Sequence, residues 1–453
     1  MKLPAYPETS PSGFQGLGTL PKHWKVIRGR FVMDVNPPAP RLRLLKPEDE
    51  VSFVPMDAVG EYGGINLDQT RALADVSSGY TEFQDGDVVV AKITPCFENG
   101  KAALARGLMN GAAFGTTELH VLRAGAALDR GFLFYVAISD RFRKLGESEM
   151  YGAGGQKRVP PEFNKDFPMP VPSLPEQQQL AAFLDWKTGQ IDALIERKQE
   201  LLEKLKEKRL AVITQAVTRG LNPAALLRDS GIPWLGHVPE HWEVKRLRFA
   251  VERIEQGWSP QCDNQPADDD CWGVMKVGCV NGDTFDPLEN KALPPDLEAK
   301  EHYELKSRDI VISRANTKEL LGSAAIVPVD VRPKLLLCDK LYRVTTPAEL
   351  DEEFLTYYLR TPTARYQYER EATGASNSMQ NIGQDTIKNL VVTLPPLPEQ
   401  KLICQGIRKA VLRLDELMTA TVSAIARLTE YRTALITDAT TGKIDVRKVR
   451  VPA

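Results

Sequence analysis

The stretch that decides the fold is residues 175–218, PEQQQLAAFLDWKTGQIDALIERKQELLEKLKEKRLAVITQAVT, which contains no proline after its first residue. A second stretch, residues 398–441, begins with the same Pro-Glu-Gln and is also free of further proline. Because proline interrupts helix interiors, each stretch is predicted to form one continuous helix. At about 1.5 Å per residue each helix would be roughly 66 Å long.

Apolar residues recur at seven-residue intervals on one face of each predicted helix, interrupted by Lys198 in the first helix and by Thr421 in the second. In the first helix this seam consists of Leu184, Ile191, Leu205 and Val212, with Leu194 and Leu201 at a second seam position. In the second helix it consists of Ile407, Leu414, Leu428 and Leu435, with Leu417 at the second position. An apolar stripe of this length has to be buried against another element. The other long helix is the favoured partner, and packing of each helix on its own local domain is the alternative.

The chain is an internal duplication. The pattern Pro-x-His-Trp at residues 21–24 recurs at 239–242, a shift of 218, and Pro-Glu-Gln at 175–177 recurs at 398–400, a shift of 223. A shift that drifts by only five residues over half the chain indicates one structural unit present twice. Two copies are too few for a solenoid.

Short apolar runs and turn signals fill the regions outside the helices, 19–174 and 237–397. They predict two mixed α+β domains. Within them, residues 36–80 and 257–303 share little similarity. The duplicated scaffold is therefore predicted to carry two different binding surfaces.

The composition is that of an ordinary globular protein of 453 residues, which predicts two to four folding units. With 58 Lys and Arg against 60 Asp and Glu, the net charge is −2, so any nucleic-acid contact has to come from local patches or from partners. Six cysteines without a C-x-x-C pair predict reduced thiols. No apolar run suits a signal peptide or a membrane span, so we expect a cytoplasmic protein with no membrane contact.

Three strings suggest an enzyme, and none is complete. Residues 36–39, Asn-Pro-Pro-Ala, resemble an amino-group methyltransferase motif but lack its aromatic residue, and no G-x-G-x-x-G loop precedes them. Glu243-Val244-Lys245 matches half of a nuclease metal site, and the corresponding position in the first copy is Lys25. His237 and His241 fit no usual zinc spacing with the downstream cysteines. We predict no catalytic residue and no metal ligand in this chain.

Polar clusters at strand ends and in loops remain as candidate binding residues. Arg, Lys, Asn, Gln, Ser and Thr are the residue types that contact base edges and phosphates. In the first domain the predicted DNA-binding residues are Lys92, Thr94, Asn99, Lys101, Thr116, Thr117, Gln156, Lys157 and Arg158. In the second domain they are Ser313, Arg314, Asn316, Lys318, Lys340, Ser376, Asn377, Ser378 and Gln380.

The order of these features resembles the specificity subunit of a type I restriction-modification enzyme. The resemblance covers nearly the whole chain. It is carried by the duplicated Leu-Pro-x-His-Trp segment, which stands as Val-Pro-x-His-Trp in the second copy, by residues 92–101 and 115–118, and by Leu-Pro-Glu-Gln at 174–177 and 397–400. Where the first copy has Ile-Thr-Pro-Cys at 93–96, the second has Ser-Arg-Ala-Asn at 313–316, so the two half-sites should differ.

The resemblance implies an α+β protein with two similar mixed α/β target-recognition domains separated by two long helices that form an antiparallel coiled coil. Each domain would read one half of a bipartite sequence in double-stranded DNA, and the coiled coil would set the gap. The implied boundaries are a first recognition domain with an N-terminal arm at 1–174, a first helix at 175–220, a second recognition domain at 221–397, a second helix at 398–446 and a tail at 447–453.

The same resemblance implies that the chain binds no cofactor and is not an enzyme. It would dock two methyltransferase (modification) subunits and, in the full enzyme, two translocase/nuclease (restriction) subunits. S-adenosylmethionine, Mg²⁺ and ATP would then be bound by those partner subunits. Two alternatives from other classes stay open: a self-sufficient DNA methyltransferase or nuclease, and a coiled-coil scaffold that binds proteins only.

Overall fold

The computed structural model describes residues 3–14, 17–376 and 379–452. The first part of the chain contains the strands β1 (Thr9–Pro11), β2 (Thr19–Pro21), β3 (Lys25–Arg28), β4 (Met33–Val35), β5 (Glu50–Val54), β6 (Thr70–Ala72), β7 (Thr81–Gln84), β8 (Val88–Ala91), β9 (Ala102–Leu104), β10 (Ala112–Gly115), β11 (Leu119–Ala124) and β12 (Pro168–Val171). The second part contains β13 (Leu227–Asp229), β14 (His237–Pro239), β15 (Glu243–Arg246), β16 (Arg253–Gln256), β17 (Gly273–Met275), β18 (Asn290–Ala292), β19 (Ile310–Ser313), β20 (Ala315–Asn316), β21 (Ala324–Ile326), β22 (Leu335–Leu336), β23 (Leu341–Thr345), β24 (Thr373–Ser376), β25 (Met379–Asn381) and β26 (Val391–Leu394).

The helices include two that are far longer than the rest. The α-helices of the described residues are α1 (Leu73–Val76), α2 (Arg130–Ala137), α3 (Asp140–Ser148), α4 (Pro161–Asp166), α5 (Leu174–Arg219), α6 (Glu352–Leu359), α7 (Pro362–Glu371), α8 (Gln384–Asn389) and α9 (Leu397–Thr440). The two long helices are α5 and α9. Within the described residues, no helix is both long and apolar enough to cross a bilayer.

The chain divides into two compact units, and the division runs through both long helices. Unit 1 contains the residues up to Glu200 together with those from Val422 onward, and unit 2 contains Leu201–Thr421. Each unit therefore holds one mixed α/β domain, one half of α5 and one half of α9.

Unit 1 is built on two four-stranded sheets. One has the order β4-β11-β8-β9 and is antiparallel, and the other has the order β6-β5-β10-β7 with β5 and β10 parallel. The central strand β8 is buried along its whole length, because its Val-Val-Val-Ala run faces apolar neighbours on both sides. The pairs β1-β2 and β3-β12 complete the unit.

Unit 2 repeats this plan. Its antiparallel sheet has the order β16-β23-β19-β21, with the fully buried β19 in the position of β8, and β13-β14 and β15-β26 correspond to the two-stranded pairs of unit 1. A three-stranded sheet, β18-β17-β22, has β17 and β22 parallel. The sheet β20-β25-β24 has no counterpart of its size among the described strands of unit 1.

The two long helices pack together within each unit and run antiparallel. In unit 1, Asp192 of α5 accepts two hydrogen bonds from Arg432 of α9, at 2.8 and 3.1 Å, and Gln179 reaches the backbone beyond α9. In unit 2, Arg209 of α5 donates to Asp415 of α9 at 3.0 Å. The partner number falls as the α5 number rises, which confirms the predicted pairing of the two helices.

The seam between the helices differs from the predicted one in its second position. Leu194, Leu201 and Leu417 are exposed by 42, 46 and 53%, so they do not lie in the seam. The buried or half-buried residues lie four positions after each first-seam residue: Thr188, Ile195, Leu202, Arg209 and Ala216 in α5, and Val411, Met418, Ile425, Arg432 and Ala439 in α9. At 3.6 residues per turn, i+3 and i+4 flank position i on opposite sides. The partner helix lies on the i+4 side.

The repeated Pro-x-His-Trp and Leu-Pro-Glu-Gln motifs meet at a buried carboxylate. In unit 1, Glu176 accepts hydrogen bonds from Tyr6 Oη at 2.8 Å and Trp24 Nε1 at 3.2 Å, and His23 Nε2 lies 2.9 Å away. Burial, aided by the bond to Glu176, raises the pKa of Tyr6 well above its usual value, so the phenol stays a donor. The two motifs therefore fasten the start of the domain to the start of α5.

Unit 2 contains the same junction. Glu399 accepts from Trp242 Nε1 at 3.2 Å and lies 2.7 Å from His241 Nε2. His241, one of the two histidines that a zinc reading would need, is thus held by the carboxylate of its Leu-Pro-Glu-Gln motif.

The glutamine of each Leu-Pro-Glu-Gln motif ties a long helix to a short one. Gln177 accepts from the backbone of Asp129, the N-cap of α2, at 2.7 Å, and Gln400 does the same for Asp351, the N-cap of α6, at 2.8 Å. Both glutamines are buried, and their amide groups donate to backbone carbonyls. A duplicated sequence motif thus corresponds to a duplicated set of contacts.

Candidate DNA interface

The polar cluster of the first domain forms where the end of β8, the start of β11 and the segment 157–159 run side by side. The backbone of Lys92, just after β8, bonds to Glu118 at 2.9 Å and accepts from Val159 at 2.8 Å. Thr94 donates from its backbone to the Lys157 carbonyl at 3.0 Å. This arrangement brings together the predicted residues Lys92, Thr94, Thr116, Thr117, Lys157 and Arg158, although they are far apart in sequence.

An ion pair organises this cluster. Arg158 donates two hydrogen bonds to the carboxylate of Glu118, at 2.9 and 2.7 Å. These bonds lower the pKa of Glu118, so it remains ionised near neutral pH. Glu118 was not among the predicted site residues, although it follows the predicted pair of threonines. Only the fold shows that it lies opposite Arg158.

The most accessible residues of the cluster stand on a glycine-rich turn. Gln156 and Lys157 are exposed, and they follow Gly152, whose φ is +150°. A Cβ added to Gly152 would lie 2.4 Å from the Gln156 carbonyl oxygen, so glycine is required for the close approach of the two sides of the turn. The turn presents Gln156 and Lys157 to solvent.

Two other predicted residues of the first domain lie in the turn that follows β8. Asn99 is exposed, whereas the Lys101 ammonium donates to the Met56 carbonyl at 2.9 Å. Lys101 therefore anchors a neighbouring loop, and Asn99 is the accessible residue of the two.

Buried His120 forms hydrogen bonds with segments that carry or flank the same cluster. Its Nε2 donates to the Val159 carbonyl at 2.9 Å, which leaves Nδ1 as the acceptor for the Asn36 amide at 3.3 Å. Asn36 Oδ1 in turn accepts from the Val121 backbone at 2.9 Å. Asn36, the first residue of the methyltransferase-like string, is thus engaged in structural bonds.

The charge state of His120 predicts a pH dependence of stability. Burial lowers its pKa below the ordinary value of about 6.5. Between the two pKa values the folded state therefore binds fewer protons than the unfolded state. The free energy of unfolding has its full value above about pH 6.5 and decreases as the pH falls toward the lowered pKa. We expect thermal denaturation between pH 5 and 8 to show this loss, and His120→Gln to reduce it. The exposed His237→Gln is the matched control, and equal pH profiles for wild type and His120→Gln would contradict the assignment.

In the second domain, two of the predicted contact residues are not accessible. Ser313 is fully buried at the end of β19 and donates to the Leu320 carbonyl at 2.9 Å. Asn316 is 8% exposed, and its amide donates to Asn281 at 2.8 Å. Both side chains are engaged inside the protein, because a second short buried strand, β20, follows β19 after one residue where a loop was expected. We therefore remove them from the group available to DNA.

The remaining residues of the second domain gather around the sheet β20-β25-β24. Arg314 is half-buried and its backbone bonds to the Lys340 carbonyl at 2.8 Å, while Lys318 and Lys340 are exposed. Gln380 lies on β25 directly opposite Asn316. Ser376 ends β24, and the predicted Asn377 and Ser378 lie outside the described residues.

One group of candidate metal ligands occurs among the described residues, and its members have structural roles. The potential ligand atoms of Asp351, Glu353 and Cys404 lie within 4.8 Å of one another. Asp351 caps α6, and Glu353 pairs with Arg408. Burial raises the pKa of the Cys404 thiol, which disfavours the thiolate that would bind a metal.

Comparisons with known proteins agree with this architecture. The sequence profile of the family described as "Type I restriction modification DNA specificity domain" matches residues 239–426. The specificity subunit of the type I restriction enzyme EcoEI from Escherichia coli is 27% identical over 483 aligned positions, which cover 89% of this chain and 80% of that subunit.

Two solved structures share the fold. The first is a chain from work on complex assembly and conformational transition of a type I restriction-modification system, with a TM-score of 0.71, 18% identity and coverage of 94% of this chain and 99% of that chain. The second is the HsdS subunit from Thermoanaerobacter tengcongensis, with a TM-score of 0.53, 19% identity and coverage of 94 and 98%.

The duplicated domains, the packed pair of long helices, the family profile and a relative aligned over most of both chains lead to one assignment. This chain belongs to the family of DNA specificity subunits of type I restriction-modification systems, the non-catalytic component of those enzymes.

Proposed function

We propose that the two domains of this chain each read one half of a bipartite DNA sequence. The observation that carries the proposal is that a buried strand, β8 in unit 1 and β19 in unit 2, leads into a polar cluster in both domains, with different residues in each. Lys157 and Gln156 in the first domain, and Lys318 and Lys340 in the second, supply the exposed donors. Unlike clusters on the same scaffold would recognise unlike half-sites.

The long helices would set the gap between the half-sites and dock two methyltransferase subunits. Leucines on their outer faces support the docking role: Leu194, Leu201 and Leu417 are large, apolar and 42 to 53% exposed. Leu194 and Leu201 stand seven residues apart on one face of α5, and apolar surface that stays exposed along a helix face is typical of a protein–protein interaction site. S-adenosylmethionine would be bound by those subunits, and Mg²⁺ and ATP by the two translocase/nuclease subunits of the full enzyme. Since its substrate would be DNA, we place the protein in the cytoplasm.

The exposed lysines provide a direct test of the DNA interface. Lys157→Ala and Lys340→Ala, each in a complex with the methyltransferase subunits, should weaken DNA binding and lower the slope of log K against log salt concentration by about one, because each lysine would neutralise one phosphate. The measurement is a fluorescence-anisotropy titration at several salt concentrations. Lys144→Ala is the matched control, since that lysine is 73% exposed and pairs with Asp140 on α3.

The proposal predicts a second observable in the wild type. Mapping methylated adenines in DNA treated with the complex should give one two-part sequence. If the lysine variants bind with the wild-type salt slope, these clusters are not the phosphate contacts. If methylation shows no two-part sequence, the function itself is wrong.

A further inference from the structure

Two arginines at equivalent positions of the long helices reach out of the helix pair and into the recognition domains. Arg209 in α5 and Arg432 in α9 are separated by 223 residues, the shift of the duplication. Both occupy the i+4 seam position and pair with an aspartate of the opposite helix, and these aspartates, Asp415 and Asp192, are also related by 223. The side chains of Arg209 and Arg432 are only 21 and 12% exposed.

In unit 1 the guanidinium of Arg432 contacts both Asp192 and the loop that contains Tyr62. It donates to the Tyr62 carbonyl at 3.2 Å and lies over the Tyr62 ring, 5.5 Å from its centroid. Arg143 lies over the same ring at 4.9 Å. Tyr62 has a φ of +59°, a left-handed conformation that is costly for a tyrosine, so the loop depends on contacts that hold it in place.

Tyr62 is in turn packed against the segment that we propose to contact DNA. Its backbone nitrogen donates to the Gly100 carbonyl at 2.9 Å. A Cβ on Gly100 would lie 3.1 Å from the Tyr62 ring, so the two residues are in close contact. Arg143 also donates to the Glu98 carbonyl at 2.9 Å. A continuous set of contacts thus runs from the helix pair to the turn that carries Asn99.

In unit 2 the corresponding arginine makes the corresponding connection with different chemistry. Arg209 donates to Asp283 at 2.8 Å, and Arg360, which follows α6, contacts the same loop by donating to the Gly282 carbonyl at 3.4 Å. Asn281 of this loop accepts from Asn316, which follows the buried strand β19. The contacts again run from the helix pair, through one loop, to the segment beside the proposed DNA contacts.

The loops that meet the arginines belong to the regions that share little similarity, residues 36–80 and 257–303. The same arginine is therefore met by a tyrosine in one domain and by an aspartate in the other. Two unlike loops contact the arginines at equivalent helix positions. This indicates that the arginines have a role that the duplication alone does not explain. Only arginine has a planar fork that can bond a carboxylate on one side and a second acceptor on the other.

We infer that Arg209 and Arg432 are positioning residues for DNA recognition, each fixing the recognition loops of its own domain against the helix pair. The inference rests on the proposed function, because it assumes that the segments after β8 and β19 contact DNA. Each arginine should affect only the half-site read by its own domain. A residue that merely stabilised the helix pair would affect both half-sites or neither.

The test uses the complex with methyltransferase subunits and maps methylated adenines in a plasmid library after limited treatment. Asp283→Ala removes the unit 2 contact at a surface position, since Asp283 is 65% exposed. Arg432→Lys keeps a cation beside Asp192 but lacks the fork that also reaches Tyr62. With one charge-assisted hydrogen bond lost, we expect discrimination to fall roughly tenfold at the second half-site for Asp283→Ala and at the first for Arg432→Lys.

The other half-site in each experiment is an internal control, and Arg427→Lys, an exposed position on α9, is the matched control variant. Melting temperatures and the migration of the complex in gel filtration check that the variants fold. Unchanged discrimination in both variants, or equal loss at both half-sites, would overturn the inference. If the wild-type complex methylates no two-part sequence, the proposed function fails first, and that is seen before any variant is compared.

Discussion

Lengthening both long helices by seven residues is expected to move the two methylated half-sites about three base pairs further apart. Seven residues add about 10 Å of helix at 1.5 Å each, and DNA rises 3.4 Å per base pair. Methylation of the original sequence should fall to background, because the spacing would no longer fit. We expect the new sequence to have the same half-sites and a longer gap.

The insertion can be placed without breaking the known contacts. Duplicating residues 197–203 of α5 and 420–426 of α9 adds one heptad to each helix, and seven residues preserve both seams. Both sites lie between the aspartate and the arginine of their helix, so the pairs Asp192–Arg432 and Arg209–Asp415 are each left intact.

Mapping of methylated adenines measures the outcome. The control is a length-preserving variant in which the exposed Glu200 and Glu203 are replaced by glutamine. An enzyme that stays active with an unchanged gap would show that the helices do not set the spacing. Duplication in α5 alone would put the seams out of step and is expected to abolish methylation.

The long helices could be predicted closely from the sequence because their signals are local. The predicted span, from Pro175 to about Thr218, compares with the observed Leu174–Arg219. A run without proline that carries a heptad repeat has few other folds available. The first seam position was also clear, since Leu184 and Ile191 are buried.

The second seam position could not be predicted in the same way. Leucines stand at i+3, at Leu194 and Leu201, whereas i+4 holds mixed residues that include Arg209. Hydrophobicity alone favours the leucines. Only the position of the partner helix decides which flank is buried, and the aspartate that makes a half-buried arginine acceptable lies about 200 residues away in sequence.

The position of the polar clusters after buried strands could be predicted, whereas the partners and accessibility of their individual side chains could not, and DNA contact at these clusters stays a prediction. Both polar clusters follow buried strands, which periodicity indicates well. The burial of Ser313 and Asn316 was not foreseen, because a second short strand, β20, follows β19 where a loop was expected. Glu118, Tyr62 and Asp283 were missed because their roles depend on contacts between distant segments.

Removing the Glu176 carboxylate is expected to give the largest loss of stability among the junction residues. Glu176 is 6% exposed and bonds to the buried donors of Tyr6 and Trp24. Glu176→Ala would leave both donors unpaired, at roughly 1–3 kcal/mol for each, so unit 1 should lose roughly 2–6 kcal/mol. The equivalent Glu399→Ala should cost about 1–2 kcal/mol, because Glu399 is 32% exposed and water can replace part of its role.

Because the chain has two units, a single global transition cannot be assumed, and hydrogen exchange by mass spectrometry provides the local measurement. In Glu176→Ala, backbone amides of residues 17–28 should exchange faster while those of 235–246 stay near wild type, and Glu399→Ala should show the reverse with a smaller change. Glu162→Ala is the control, since that carboxylate is 66% exposed with a lysine 3.7 Å away. Equal exchange at residues 17–28 in wild type and Glu176→Ala would show that the junction does not hold the domain to α5. The difference between the two glutamates follows from the deeper burial of Glu176 and from its additional bond to Tyr6, since their sequence motifs are the same.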